Sequence, residues 1–175
     1  MKLEPLDLDG VFGIASKPFF DERGSFIRIW ETDSLFSHLK LAEASAATNL
    51  HRRTLRGLHY QVNPHAETKV IQCISGEVFD VLVDMRANSD TYREHISVLL
   101  GPHQSYQGLL VPAGFAHGYL TLKANSTLLY FMDKPYVAEA ARGIRWNDPL
   151  LQIQWPLEPE VISLRDTSLP LMDIS

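Results

Sequence analysis

The 175-residue sequence contains one cysteine, Cys73, which excludes an internal disulfide and suits a reducing compartment. Basic residues are scarce: 16 Lys and Arg against 21 Asp and Glu give a formal net charge of -5. That balance argues against a nucleic-acid footprint, so an anionic ligand has to be held by a few local arginines rather than by a basic face. No apolar run approaches membrane-spanning length. The opening MKLEPLDLDG breaks its leucines with acids and a proline, so it offers no signal-peptide core. A glycine-rich phosphate-cradling motif is missing too, which sets aside nicotinamide and nucleoside-triphosphate chemistry. These absences lead us to expect a cytoplasmic protein with neither a nucleic-acid nor a membrane partner. Its 175 residues suit one domain, 1–175, large enough to bury a continuous core.

What the chain has instead is a succession of short strand-like runs. Residues 11–14, 17–20 and 25–30 read as strands, with the turn Asp21-Glu22-Arg23-Gly24 between the last two. The turn sets Arg23 at a strand start, either as a phosphate clamp or as a solvated turn arginine. From Asp33, Leu35, Phe36 and Leu39 have helical spacing and predict one short amphipathic helix, and the small, polar residues 42–49 predict a loop. Strand signals then recur over 55–62, 69–74, 77–85, 95–100, 107–111, 116–122 and 126–132, separated by Gly, Pro and Asn turns. Regular short strands of this kind predict an all-β sandwich or jelly-roll barrel with a few short peripheral helices. The tail carries turn-rich packing material around Trp146 and Trp155, then a possible helix start at Ser163-Leu164-Arg165-Asp166.

Alternation assigns faces. In 77–85, Phe79, Val81, Val83 and Met85 point one way, and Asp80 and Asp84 point the other with Val78 and Leu82. His59 and Gln61 share a face, as do Lys69, Ile71 and Cys73, and as do Leu128, Tyr130 and Met132. If the mixed faces line the barrel, polar groups are buried together and need partners or a function.

The stretch Thr54-Leu55-Arg56-Gly57-Leu58-His59-Tyr60-Gln61 offers a histidine, the residue type suited to taking a proton from carbon near neutral pH, as a candidate base if something orients it. Pro112-Ala113-Gly114-Phe115-Ala116-His117 has the form of the second half-motif of metal cupins, but the His-x-His and glutamate of the first half are missing. We therefore expect no metal. Cys73 sits mid-strand without an activating neighbour and reads as a small buried residue. Proton transfer at a carbon beside a carbonyl remains. It needs a base, a group at the developing enolate oxygen and, for inversion, an acid on the opposite face.

Leu55-Arg56-Gly57-Leu58-His59-Tyr60-Gln61, Lys69, the run Gly76 to Arg86, Pro112-x-Gly-Phe115-Ala116-His117-Gly118 and Trp146-Asn147-Asp148 together resemble the dTDP-4-dehydrorhamnose 3,5-epimerase family of cupins. The resemblance runs from Asp21 to Asp166. It implies a homodimeric jelly roll, its N-terminal strands paired across the dimer, that epimerises a nucleotide-diphosphate 4-keto-6-deoxy sugar without a cofactor. By the family's pattern His59 is the base, Asp166 its dyad partner, Lys69 the group at the enolate oxygen with Asp80 nearby to hold it, and Tyr130 the opposed acid. Arg23 and Arg56 are the implied diphosphate contacts and Phe26 an aromatic wall; Asn49, His117, Tyr136 and Arg165 complete the substrate-binding set. The chain departs from the pattern at the nucleotide end, with Arg28 where a glutamate is typical, Ala141 where an acid is common, and an altered segment Thr48-Asn49-Leu50-His51-Arg52-Arg53. Other outcomes compatible with the sequence are a ketoisomerase, a guanosine-linked or heptose substrate, and a silent or metal-dependent cupin.

Overall fold

The computed structural model describes residues 1–16, 18–31 and 39–173. Apart from a 3-10 turn at Ala138–Ala140 and helix α1 (Leu164–Thr167), the regular elements described are strands. They are β1 (Lys2–Pro5), β2 (Phe12–Ala15), β3 (Phe19–Asp21), β4 (Gly24–Phe26), β5 (Glu43–Asn49), β6 (Thr54–Gln61), β7 (Lys69–Ser75), β8 (Val78–Asp84), β9 (His95–Leu100), β10 (Gly108–Val111), β11 (Phe115–Thr121), β12 (Ser126–Met132), β13 (Ala141–Gly143) and β14 (Val161–Ile162). One sheet has the order β1-β2-β10-β7-β12-β5 and the other β13-β6-β11-β8-β9, with β14 added parallel to β6. This is the expected all-β jelly-roll sandwich.

The inner faces of the two sheets supply the main core. Ile71, Cys73, Leu109, Val111 and Leu128 come from the first sheet and Val78, Leu82, Leu100, Phe115 and Tyr119 from the second. Each aliphatic side chain buried there contributes about 2 kcal/mol. The outer face of the second sheet is also covered: Leu58, Val81, Val83 and Ala116 pack beneath Ile144, Leu151, Ile153 and Trp155 of the tail. Strand β8 is thus buried on both sides, which is why its sequence reads as a nearly continuous apolar run. Its two aspartates lie on the inner-face phase with Val78 and Leu82, as alternation requires, and both are fully buried.

The loop expected over 42–49 is instead strand β5. It pairs with β12 from Glu43↔Met132 to Asn49↔Ser126. Alanine and serine carry little β propensity, so the signal was absent from the sequence; the neighbouring strand supplies the hydrogen bonds. The run expected over 25–30 is strand only as far as Phe26, and β1, β13 and β14 had no strand reading. Helix α1 forms at the anticipated place, where the hydroxyl oxygen of Ser163 accepts from the Asp166 amide at 3.0 Å. The helix anticipated from Asp33 lies almost wholly outside the described residues.

Candidate active site

A cavity opens between the sheets where β6 and β11 face β5, β7 and β12. It has two adjoining lobes, of about 270 Å³ and 580 Å³, which share His59, Lys69, Tyr130 and Arg165. The short side chains of β5 help to make the space: Ser45 lines the smaller lobe and Ala47 the larger.

His59 and Asp166 meet in the larger lobe. The imidazole Nε2 is 2.7 Å from Asp166 Oδ1, and Asp166 Oδ2 accepts the Gly57 amide at 3.1 Å. With one ring nitrogen donating to the carboxylate, the other carries the lone pair of the neutral imidazole. Burial pushes the Asp166 carboxyl up, but its bond to His59, the His59 charge, the Gly57 amide and Ser163 outweigh it and leave the group below its ordinary value. Helix α1 delivers this carboxylate, and Arg165 beside it lines both lobes.

Lys69 and Tyr130 form another part of the wall. The Lys69 ammonium pairs with Glu67 Oε1 at 2.8 Å, and Glu67 Oε2 accepts from Gln61 Nε2 at 2.9 Å. The carboxylate that holds Lys69 is therefore Glu67, whereas Asp80 accepts from or donates to His117 Nε2 at 2.8 Å. Burial pushes the Asp80 carboxyl up, with His117 and then Lys69 opposing. Tyr130 is pushed well above its ordinary value, first by burial and then by the neighbouring Tyr119 and Asp80. It therefore stays a neutral O–H donor through and beyond neutral pH.

Arg56 reaches into the larger lobe with its Nε donating to Asn49 Oδ1 at 2.9 Å. Asn49 is buried, and its nitrogen donates to the Ser126 carbonyl at 3.0 Å. Expected as a substrate contact, Asn49 lines neither lobe; its Oδ1 holds Arg56 and its nitrogen is taken by the Ser126 carbonyl. Tyr136 lines the smaller lobe, its amide bonded to Glu43 at 3.0 Å. Lys134 and Arg142 line that lobe as well. Among the described residues, Arg56, Lys134, Arg142 and Arg165 have no carboxylate partner within ion-pair distance. An acidic protein thus gathers four cations without ion-pair partners around this cavity, beside the carboxylates of Glu43 and Glu67, a setting suited to a phosphate-bearing ligand.

Arg23 and Phe26 line neither lobe of this chain. Both sit on the β3–β4 hairpin, where Arg23 pairs with Asp21 and is 83% exposed, and Phe26 is 73% exposed beside Phe19 at 68%. The sequence reading missed Glu67 and Tyr119. Each lies two residues from a residue it did select, Lys69 and His117, so alternation alone would have placed Tyr119 beside His117.

Comparison with known proteins follows the same lines. A family model described as dTDP-4-dehydrorhamnose 3,5-epimerase matches residues 5–173. A protein of that name from Sinorhizobium fredii is 37% identical over 174 residues, 97% of this chain and 89% of the relative. Among solved structures, the dTDP-4-dehydrorhamnose 3,5-epimerase of Bacillus anthracis, with TDP and PPi bound, superposes with a TM-score of 0.91 at 33% identity, covering 98% of this chain and 99% of the other. NovW, a 4-keto-6-deoxy sugar epimerase from the novobiocin gene cluster of Streptomyces spheroides, gives a TM-score of 0.90 at 31% identity, covering 98% and 87%.

Proposed function

The chain belongs to the dTDP-4-dehydrorhamnose 3,5-epimerase family, hence to the isomerases, and from that membership we propose that it inverts carbon 3, carbon 5 or both of a nucleotide-diphosphate 4-keto-6-deoxy sugar through an enolate. The observation that carries this reading is a single cavity walled by the His59–Asp166 pair, the Lys69 ammonium and the Tyr130 hydroxyl.

In this reading the unbonded ring nitrogen of His59 takes the proton from the carbon beside the ketone. Asp166 fixes the tautomer and stabilises the imidazolium that forms. The Lys69 ammonium, held by Glu67, donates to the oxygen as it becomes an enolate. Tyr130 returns a proton to the opposite face, which inverts the carbon. Carbons 3 and 5 flank the same ketone, so one base and one acid serve each in turn. Arg56, Arg165 and the cations of the smaller lobe hold the diphosphate, and no cofactor takes part. The protein works as a homodimer in which Arg23 and Phe26 of the exposed hairpin complete the site of a second copy; the exposure of Phe19, Phe20 and Phe26 supports this.

The test is proton NMR of dTDP-4-keto-6-deoxyglucose with the protein in deuterium oxide. Loss of the signals at carbons 3 and 5 is expected, with appearance of the inverted sugar. Loss at one carbon alone identifies a single-site epimerase. An absence of exchange with dTDP-, GDP- and UDP-linked 4-keto sugars alike would overturn the proposal.

A further inference from the structure

Tyr119 occupies the inner face of β11, two residues past His117, and is 1% exposed. Its hydroxyl donates to Asn49 Oδ1 at 3.2 Å, the same oxygen that accepts from Arg56 Nε at 2.9 Å. The Tyr119 and Tyr130 hydroxyls are close enough that each shifts the other's proton affinity. Both rings line the larger lobe, and the His117 ring packs against each, with centroids 6.1 Å from Tyr119 and 5.9 Å from Tyr130. A hydrogen-bonded chain therefore runs from Tyr119 through Asn49 to Arg56, and Tyr130 stands beside its Tyr119 end across the His117 ring.

This placement bears on a difficulty in the inversion step. When Tyr130 gives its proton to carbon, a phenolate is left in a buried site, where an unpaired charge is costly. Tyr119 carries a neighbouring hydroxyl able to donate to it. Resting on the epimerase reading above, we propose that Tyr119 is a positioning residue for inversion, holding the Tyr130 hydroxyl in the lobe and, after proton delivery, turning its own O–H from Asn49 to the Tyr130 oxygen. Arg56 keeps the Asn49 carbonyl paired while Tyr119 is turned away. The step breaks the Tyr130 O–H bond and forms the C–H bond, with the enolate electron pair becoming that bond. Tyr119 keeps its proton. His59, protonated, and Tyr130, deprotonated, reset by exchange with solvent once the product leaves.

The assignment separates two reactions that share the base. Proton removal by His59 followed by return of deuterium to the same face gives labelled, uninverted substrate and does not involve Tyr130. Inversion does. Tyr119→Phe removes one hydroxyl and fills the same volume, so the fold is retained. In deuterium oxide with dTDP-4-keto-6-deoxyglucose, the ratio of inverted product to labelled, uninverted substrate should fall roughly tenfold, the size expected for losing one hydrogen bond to a charged oxygen. KM should stay within about twofold, since the ring still fills its place and Arg56 keeps its bond. A residue that only packs would lower labelling and inversion together and leave the ratio unchanged; that result, with the wild type active, overturns the assignment to Tyr119 alone. No labelling by the wild-type protein overturns the epimerase reading and this inference with it.

Discussion

Nε2 of His59 lies 2.7 Å from Oδ1 of Asp166, a contact between side chains 107 residues apart. Asp166→Asn keeps the shape but replaces the acceptor pair with one acceptor and one donor. Either the amide NH2 faces the imidazole and forces the tautomer whose free nitrogen is protonated, or it faces the Gly57 amide, which then loses its acceptor. The expected result is a fall in kcat of roughly 100-fold or more, with KM little changed. Deuterium labelling and inversion should fall in parallel, because both depend on the base. Labelling at the wild-type rate in this variant would remove Asp166 from the mechanism.

Tyr130→Phe should divide the reaction differently. Proton removal persists, so labelled substrate accumulates, while inverted product falls by about 100-fold or more, in the range of general acid catalysis. Because burial and then its neighbours hold Tyr130 far above its usual value, the alkaline limb of the wild-type rate should not be set by this group below about pH 10. Equal loss of labelling and inversion would reassign Tyr130 to binding.

Asp84 supports the fold rather than the chemistry. Burial raises its carboxyl, yet Arg86, Ser89 and Thr91 bond to it and together hold it well below the usual range. A depressed folded value means the unfolded chain binds the proton first. The contribution to stability is therefore complete above about pH 4 and is lost as pH falls through the folded value. Asp84→Asn should cost about 3 kcal/mol at pH 7. Urea unfolding should show the gap between wild type and variant narrowing at pH 3; a gap that does not change with pH would contradict the account.

The β3–β4 hairpin tests the homodimer. Phe19 and Phe26 face one another across its two strands and both are exposed. Phe26→Asp should move the protein from dimer to monomer in sedimentation, leave the circular dichroism unchanged, and lower kcat/KM. A wild-type protein that sediments as a monomer at micromolar concentration would end the dimer proposal.

How much of this was legible beforehand varies by element. Strands β6 to β12 announce themselves through apolar runs bounded by Gly, Pro and Asn, and β8 shows which of its residues share a face. Strand β5 gave no such signal: Ala44, Ser45, Ala46 and Ala47 form strand because β12 pairs with them. The motif around His59 was readable, but the carboxylate that holds Lys69 was not assigned from sequence. Glu67 precedes β7 in a turn region, and its contact depends on how that segment enters the strand.

The local sequence of this protein determined its periodicities, its turns and the residue types available for proton transfer, because these depend on neighbours one to four positions away. The tertiary structure decided which of them meet. Arg56 and His59 are three residues apart, so strict alternation would send them to opposite faces, yet both line the same lobe. A bulge makes this possible: His117 pairs with His59 and Tyr119 with Arg56, so three steps along β6 match two along β11. Gly57 fits there with φ of 122° because a Cβ would lie 2.6 Å from the Gly118 Cα. The bulge, the small side chains of β5 and the long return of the chain to Asp166 are products of strand pairing and packing, which no window of local sequence contains.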